Sequence, residues 1–65
     1  MSVTGYFEHI LSIWDSLPKR TPTNVRDMKE ILRQFQNAIW SNEIEKEKLN
    51  YLQKRFRQIY KEVYK

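Results

Sequence analysis

The sequence predicts an all-α fold: a single domain over residues 1–65 built as a compact three-helix bundle running up-down-up. Three observations predict it. Apolar residues recur in steps of three and four in three separate series. Proline and capping residues separate the first series from the second. The apolar register then slips by one residue between the second series and the third. Helices over about 3–17, 22–40 and 42–64 follow.

The first series is Val3, Tyr6, Phe7, Ile10, Ile13, Trp14 and Leu17. At roughly 100° per residue these seven fall within an arc of about 120°, with Glu8, Ser12 and Asp15 opposite. Leu11 lies about 100° from Ile10 and is expected on the flank of the stripe. Ser2 or Thr4 supplies the N-cap. Pro18 disfavours helical geometry at Leu17, so the helix should stop there. Lys19, Arg20 and Thr21 form a polar connector, and Thr21-Pro22 reads as an N-cap followed by proline at the first helical position, although Thr23 or Asn24 could cap instead.

The second series is Val25, Met28, Ile31, Leu32, Phe35 and Ile39, with Arg26, Glu30, Gln34 and Asn37 on the wet side. Leu49, Leu52, Phe56, Ile59 and Val63 form the third. No Gly or Pro lies between Val25 and Lys65, so local propensity also allows one helix of about 60 Å, which would demand a dimer. The pattern favours two. Extending the second stripe beyond Ile39 lands on Asn42 and Lys46, and the seam returns displaced at Leu49. Asn42 and Glu45 have capping-box spacing, which marks a helix start at Asn42 with a tight turn over Trp40 to Asn42. Glu43, Glu45 and Glu47 near that start, and Arg57, Lys61 and Lys65 near the far end, suit the dipole of such a helix.

Composition narrows the function classes. A chain of 65 residues buries only about 60% of its unfolded surface, so a homodimer would add to a small core. The absence of cysteine excludes a disulfide scaffold, a thiolate metal site and a cysteine nucleophile. The first residues lack the Lys/Arg cluster of a signal peptide, and no stretch reaches the ~20 apolar residues of a membrane span. The first helix offers Glu8 and Asp15 but no Lys or Arg on its polar face, the reverse of a membrane-surface helix. The expected compartment is the cytoplasm, of a cell or of a host cell.

Catalysis finds little purchase. His9, Ser12, Asp15 and Ser16 are near in sequence, but one helix spreads them around its circumference instead of converging them on a substrate. The pairs Asp27/Glu30 and Glu43/Glu47 are explained as helix-terminus acids, and a metal would need more convergent ligands. A lone Gly5 cannot build a phosphate loop. No enzyme activity, cofactor or metal is expected.

Charge and aromatic content are more informative. The chain carries 12 Lys+Arg against 8 Asp+Glu, a formal net charge of +4. From residue 54 onward, Lys54, Arg55, Arg57, Lys61 and Lys65 face Glu62 alone, so this end holds the whole excess. Lys54, Arg57 and Lys61 fall within an arc of about 60° opposite the apolar seam, with Tyr60 and Tyr64 beside them. Bases interleaved with rings suit a phosphate backbone with accessible bases, through counterion release and stacking. The same bases would also arise on any solvated helix end. A helix-turn-helix reading is weaker, because the Trp40-Ser41-Asn42 junction lacks the glycine often found in that turn.

Trp40 and Tyr51 lie off their seams. Such edge aromatics either pack the end of the bundle, the first expectation for Trp40, or anchor a partner, since Trp, Tyr and Arg dominate interface hot spots. The leading expectation is therefore a small non-enzymatic regulator acting by protein–protein interaction, an adaptor or inhibitor of phage or mobile-element type, with Trp40 and Tyr51 as anchors. The alternative is DNA or RNA binding through Lys54, Arg57, Tyr60, Lys61 and Tyr64.

Overall fold

A computed structural model describes residues 2–65, which form three helices: α1 (Val3–Ser16), α2 (Pro22–Trp40) and α3 (Lys46–Val63). The order is up-down-up, so α1 and α3 run parallel and α2 antiparallel to both. At the centre each helix contributes one phenylalanine. The rings of Phe7, Phe35 and Phe56 meet pairwise at centroid separations of 5.1, 5.8 and 4.5 Å, the two contacts of Phe7 edge-to-face. This geometry sets the positive ring edge of one against the negative face of the next. Leu52, fully excluded from solvent, and Met28, Trp14 and Ile59 close the core around them.

Local chemistry fixes the first two helices. The Ser2 hydroxyl accepts from the Gly5 amide at 3.0 Å and caps α1. Thr21 and Asn24 form a reciprocal capping box at the start of α2, with Pro22 at the first helical position. These devices satisfy amides that a helix leaves without internal partners. At the end of α1 the Arg20 guanidinium donates to the Trp14 carbonyl at 3.4 Å and lies 4.6 Å over the Trp14 ring. Leu17 is the C-cap with extended backbone, so α1 ends one residue before the expected boundary, as Pro18 requires.

The link between α2 and α3 corrects the sequence reading. Asn42 does not start α3; it ends α2. Its φ of 57° is left-handed, the Asn42 amide donates to the Ile39 carbonyl at 3.1 Å and the Glu43 amide to the Ala38 carbonyl at 3.0 Å. This is a Schellman closure, with asparagine in the position usually held by glycine. Asparagine tolerates both an N-cap and a left-handed C-terminal residue, so the spacing to Glu45 misled. The helix starts at Lys46, and its N-cap Glu45 makes no side-chain capping bond. Ile44, in the link, is buried in the core.

A polar residue inside the core ties this link down. Thr4 is 1% exposed, and its Oγ1 accepts from the Glu45 amide at 2.9 Å. The same burial rotates α1 from the expected orientation. Thr4 and Leu11 face inward, whereas Ile13 (50% exposed) and Tyr6 lie outside. On a wheel the buried arc is displaced by about 60° from the centre of the apolar series. The Tyr6 hydroxyl donates across to Gln34 Oε1 on α2 at 3.5 Å.

Two ion pairs join α1 to α3 across their exposed edge. Lys48 Nζ lies 3.0 Å from Glu8 Oε2, and Arg55 Nη2 lies 2.6 and 2.8 Å from the two Asp15 carboxylate oxygens. Donors and acceptors are each seven residues apart, two turns of parallel helices. The Glu8 hydrogen bond and charge raise the Lys48 pKa above its usual 10.5 against a small opposing effect of burial. Hydrogen bonds to Asp15 and Tyr51 likewise raise that of Arg55. No helix is long and apolar enough to cross a membrane among the described residues.

Candidate functional site

The face of the bundle opposite α1 is an open groove of about 550 Å³ between α2 and α3. Its floor is apolar, formed by Leu32, Phe35, Ile39 and Phe56. Its walls carry three cations, Lys29 and Arg33 from α2 and Arg57 from α3, and three exposed aromatics, Trp40, Tyr60 and Tyr64. Gln36, Asn37 and Gln53 complete the lining, and no carboxylate enters it.

Helical spacing builds these walls. On α2, Lys29, Arg33, Gln36 and Trp40 are separated by four, three and four residues, which puts them in one stripe. On α3, Gln53, Arg57, Tyr60 and Tyr64 repeat the same steps. Because the helices are antiparallel, Trp40 stands at one end of the groove and the two tyrosines at the other. From Lys29 to Trp40 the stripe runs about 16 Å at 1.5 Å per residue.

The aromatics differ in what covers them. Tyr60 and Tyr64 lie against one another at 4.6 Å with their planes tilted by 33°. Lys29 Nζ sits 4.8 Å from the Tyr64 ring centroid, a cation–π contact bridging the two helices. Trp40 is 74% exposed. It does not pack the end of the bundle as expected; Ile44, in the link that follows, is the residue buried in the core.

Cations in the groove are not neutralised within the protein. Among the described residues the ion pairs are those of Lys48 with Glu8 and Arg55 with Asp15, both on the α1 side. Positive charge is therefore segregated: matched by carboxylates between α1 and α3, unmatched between α2 and α3. A smaller cavity of about 260 Å³ on the α1 side shows the contrast. Its arginines, Arg20 and Arg55, already hold Trp14 and Asp15.

Of the residues singled out from the sequence, Arg57, Tyr60, Tyr64 and Trp40 come together in this groove. Lys54 and Lys61 are exposed on its outer shoulder, about 60° and 40° around α3 from Arg57. Tyr51 is elsewhere: its hydroxyl accepts from Arg55 Nη1 at 3.2 Å, on the side of α3 that faces α1. The two sequence-derived sites thus overlap in part: Trp40 joins Arg57, Tyr60 and Tyr64 in the groove, while Lys54, Lys61 and Tyr51 lie outside its lining. Sequence reasoning missed the contribution of Lys29 and Arg33. The signal was present, since an acid-free stripe leads from Lys29 to Trp40, but only packing tells which stripe of α2 meets α3.

The other sequence candidates stay dispersed. Asp15 is engaged by Arg55, and Ser16 Oγ donates to the Ser12 carbonyl at 2.9 Å. No group of three or more His, Asp or Glu that could hold a metal comes together among the described residues. No family model, curated protein or solved structure matches this chain.

Proposed function

We propose that this protein is a non-enzymatic binding protein that takes a nucleic-acid backbone in the α2/α3 groove. One observation carries the reading: a wall-to-wall run of unpaired cations and exposed rings with no carboxylate among them. Lys29, Arg33 and Arg57 hold phosphates within the groove, and Lys54 and Lys61 extend the positive field over its shoulder. Binding draws on counterion release, which scales with the number of phosphates neutralised.

Protein recognition, the first expectation from the sequence, retains one of its two anchors here, Trp40, while Tyr51 is turned to the other side. Lysine is depleted in the centre of protein interfaces, and lysines contribute three of the five cations on this face. Those two facts favour the phosphate backbone over a protein partner.

The test compares Arg57→Glu with Lys19→Glu, which changes net charge equally but lies in the connector away from the groove. Both side chains are exposed, so both variants should keep the wild-type helical signal. At low salt, Arg57→Glu should weaken binding to a pool of single-stranded and duplex oligonucleotides at least about tenfold, and Lys19→Glu only slightly. Equal loss in both variants, or no binding by the wild type, overturns the reading.

A further inference from the structure

We infer that the groove selects unpaired strands over duplex, by stacking a base on Trp40 at one end and on Tyr60 at the other while the phosphates between them meet Arg33 and Arg57. The inference rests on the reading of the groove as a nucleic-acid site and adds the state of the strand and the role of each wall.

Shape is the first argument. Duplex readers insert a convex helix or ribbon into a base-pair groove. This face is concave, a trough about 16 Å long flanked by two helices. At the stacked spacing of ~3.4 Å per nucleotide such a length covers about five phosphates of one strand, and fewer when bases splay apart. The rounded outside of a duplex presents phosphates to a trough but no base faces, so the rings would go unused.

The placement of the aromatics is the second. Trp40 offers a largely uncovered ring, with only the groove edge beside it. At the opposite end Tyr64 is engaged by both Lys29 and Tyr60, whereas Tyr60 contacts Tyr64 alone and is slightly the more exposed of the two, so Tyr60 is the ring assigned to meet a base. Every base has a π-face, so stacking of this kind tolerates sequence. The apolar floor of Leu32 and Ile39 lies between the stacking ends and accepts ribose or base edges.

Charge and stacking are separable in an experiment. Labelled dT12, a 12-base-pair duplex and a poly-glutamate peptide of similar charge are titrated against the intact chain over a range of salt. The expected result is preference for dT12 over the duplex, with quenching of tryptophan emission; Trp14 is buried, so the quench reports Trp40. The slope of log affinity against log salt should be about −2 for three groove cations, at about −0.7 each on single strands. Trp40→Ala should weaken dT12 binding by about 5- to 150-fold and leave the slope unchanged. Arg33→Gln with Arg57→Gln should flatten the slope by about 1.4. Tyr51→Ala, outside the groove, should do neither. Circular dichroism of each variant confirms that the fold is retained.

Two different failures are distinguishable. If the duplex binds as tightly as dT12 and Trp40→Ala is harmless, strand selection is wrong while the groove remains a phosphate site. If poly-glutamate binds and neither nucleic acid does, or nothing binds, the nucleic-acid reading falls with it.

Discussion

Thr4 offers a sharp test of how the α2–α3 link is held, because its buried hydroxyl on α1 accepts from the backbone amide of Glu45, the N-cap of α3. Thr4→Val keeps the branched shape and nearly the same helix propensity, and removes only the acceptor. The Glu45 amide then loses a bond at 2.9 Å in a part-buried position. A donor left unsatisfied costs about 1–3 kcal/mol, toward the lower end where water can reach it. Replacing the hydroxyl with a buried methyl returns about 0.8 kcal/mol, so the net loss is about 1 kcal/mol. Thr4→Ser keeps the acceptor and drops a methyl, again about 1 kcal/mol. At roughly 0.05–0.15 kcal/mol per residue the whole fold holds only about 3–10 kcal/mol, so either change should lower Tm by about 4–8 °C.

Global stability therefore cannot tell the two variants apart, and the decisive assay is local. Amide hydrogen exchange followed by NMR should show the Glu45 N–H protected in the wild type and in Thr4→Ser. In Thr4→Val its protection should fall about five-fold beyond the global change, the factor that corresponds to ~1 kcal/mol. Unchanged protection at Glu45 in Thr4→Val would refute the role assigned to this hydroxyl.

Three further outcomes follow from the same geometry. Asn42→Gly should match or slightly exceed wild-type stability, whereas Asn42→Val should lose about 1–2 kcal/mol in urea denaturation, because a β-branched residue resists a φ of 57°; equal stability of the two variants would contradict the Schellman closure. Glu45→Ser places a capping hydroxyl at an N-cap that makes no side-chain bond and should stabilise by about 0.5–1 kcal/mol, read as a higher denaturation midpoint. The Lys48–Glu8 pair raises the folded-state pKa of Lys48, so its contribution is complete below pH 10.5 and is lost as pH rises through the folded value. The stability difference between wild type and Lys48→Gln should accordingly be flat over about pH 6–10, shrink above that range and diminish in high salt; a difference that grows with alkaline pH would show the pair to be misassigned.

Much of the fold is legible in the residues. Thr21-Pro22 and Pro18 punctuate the chain through covalent constraints on φ and on the preceding residue, and these act wherever they occur. The seams of α2 and α3 are legible as well, since Met28, Phe35, Leu52, Phe56 and Ile59 are all buried as their spacing predicts. Asn42 was ambiguous because the same side chain suits the beginning of a helix and the residue just past its end. Ile44 carried no periodic signal, being a single apolar residue in a link.

Orientation is where the sequence stops. Ile13 is as hydrophobic as Leu11, and Thr4 is polar, yet Leu11 and Thr4 are buried and Ile13 is half exposed. A helix with apolar residues over a broad arc can present several nearly equivalent faces, and the positions of its neighbours choose among them. The candidate site shows the same division. The sequence by itself determined that the excess charge gathers on the last helix and that Trp40, Tyr60 and Tyr64 stand off the apolar seams. Only the tertiary structure decided that Arg55 turns to Asp15 while Arg57 joins Lys29 and Arg33, and that Trp40 and the two tyrosines close opposite ends of one groove. The physical reason is that periodicity fixes which residues share a face within one helix, whereas a groove is made by two helices whose relative rotation depends on packing all three.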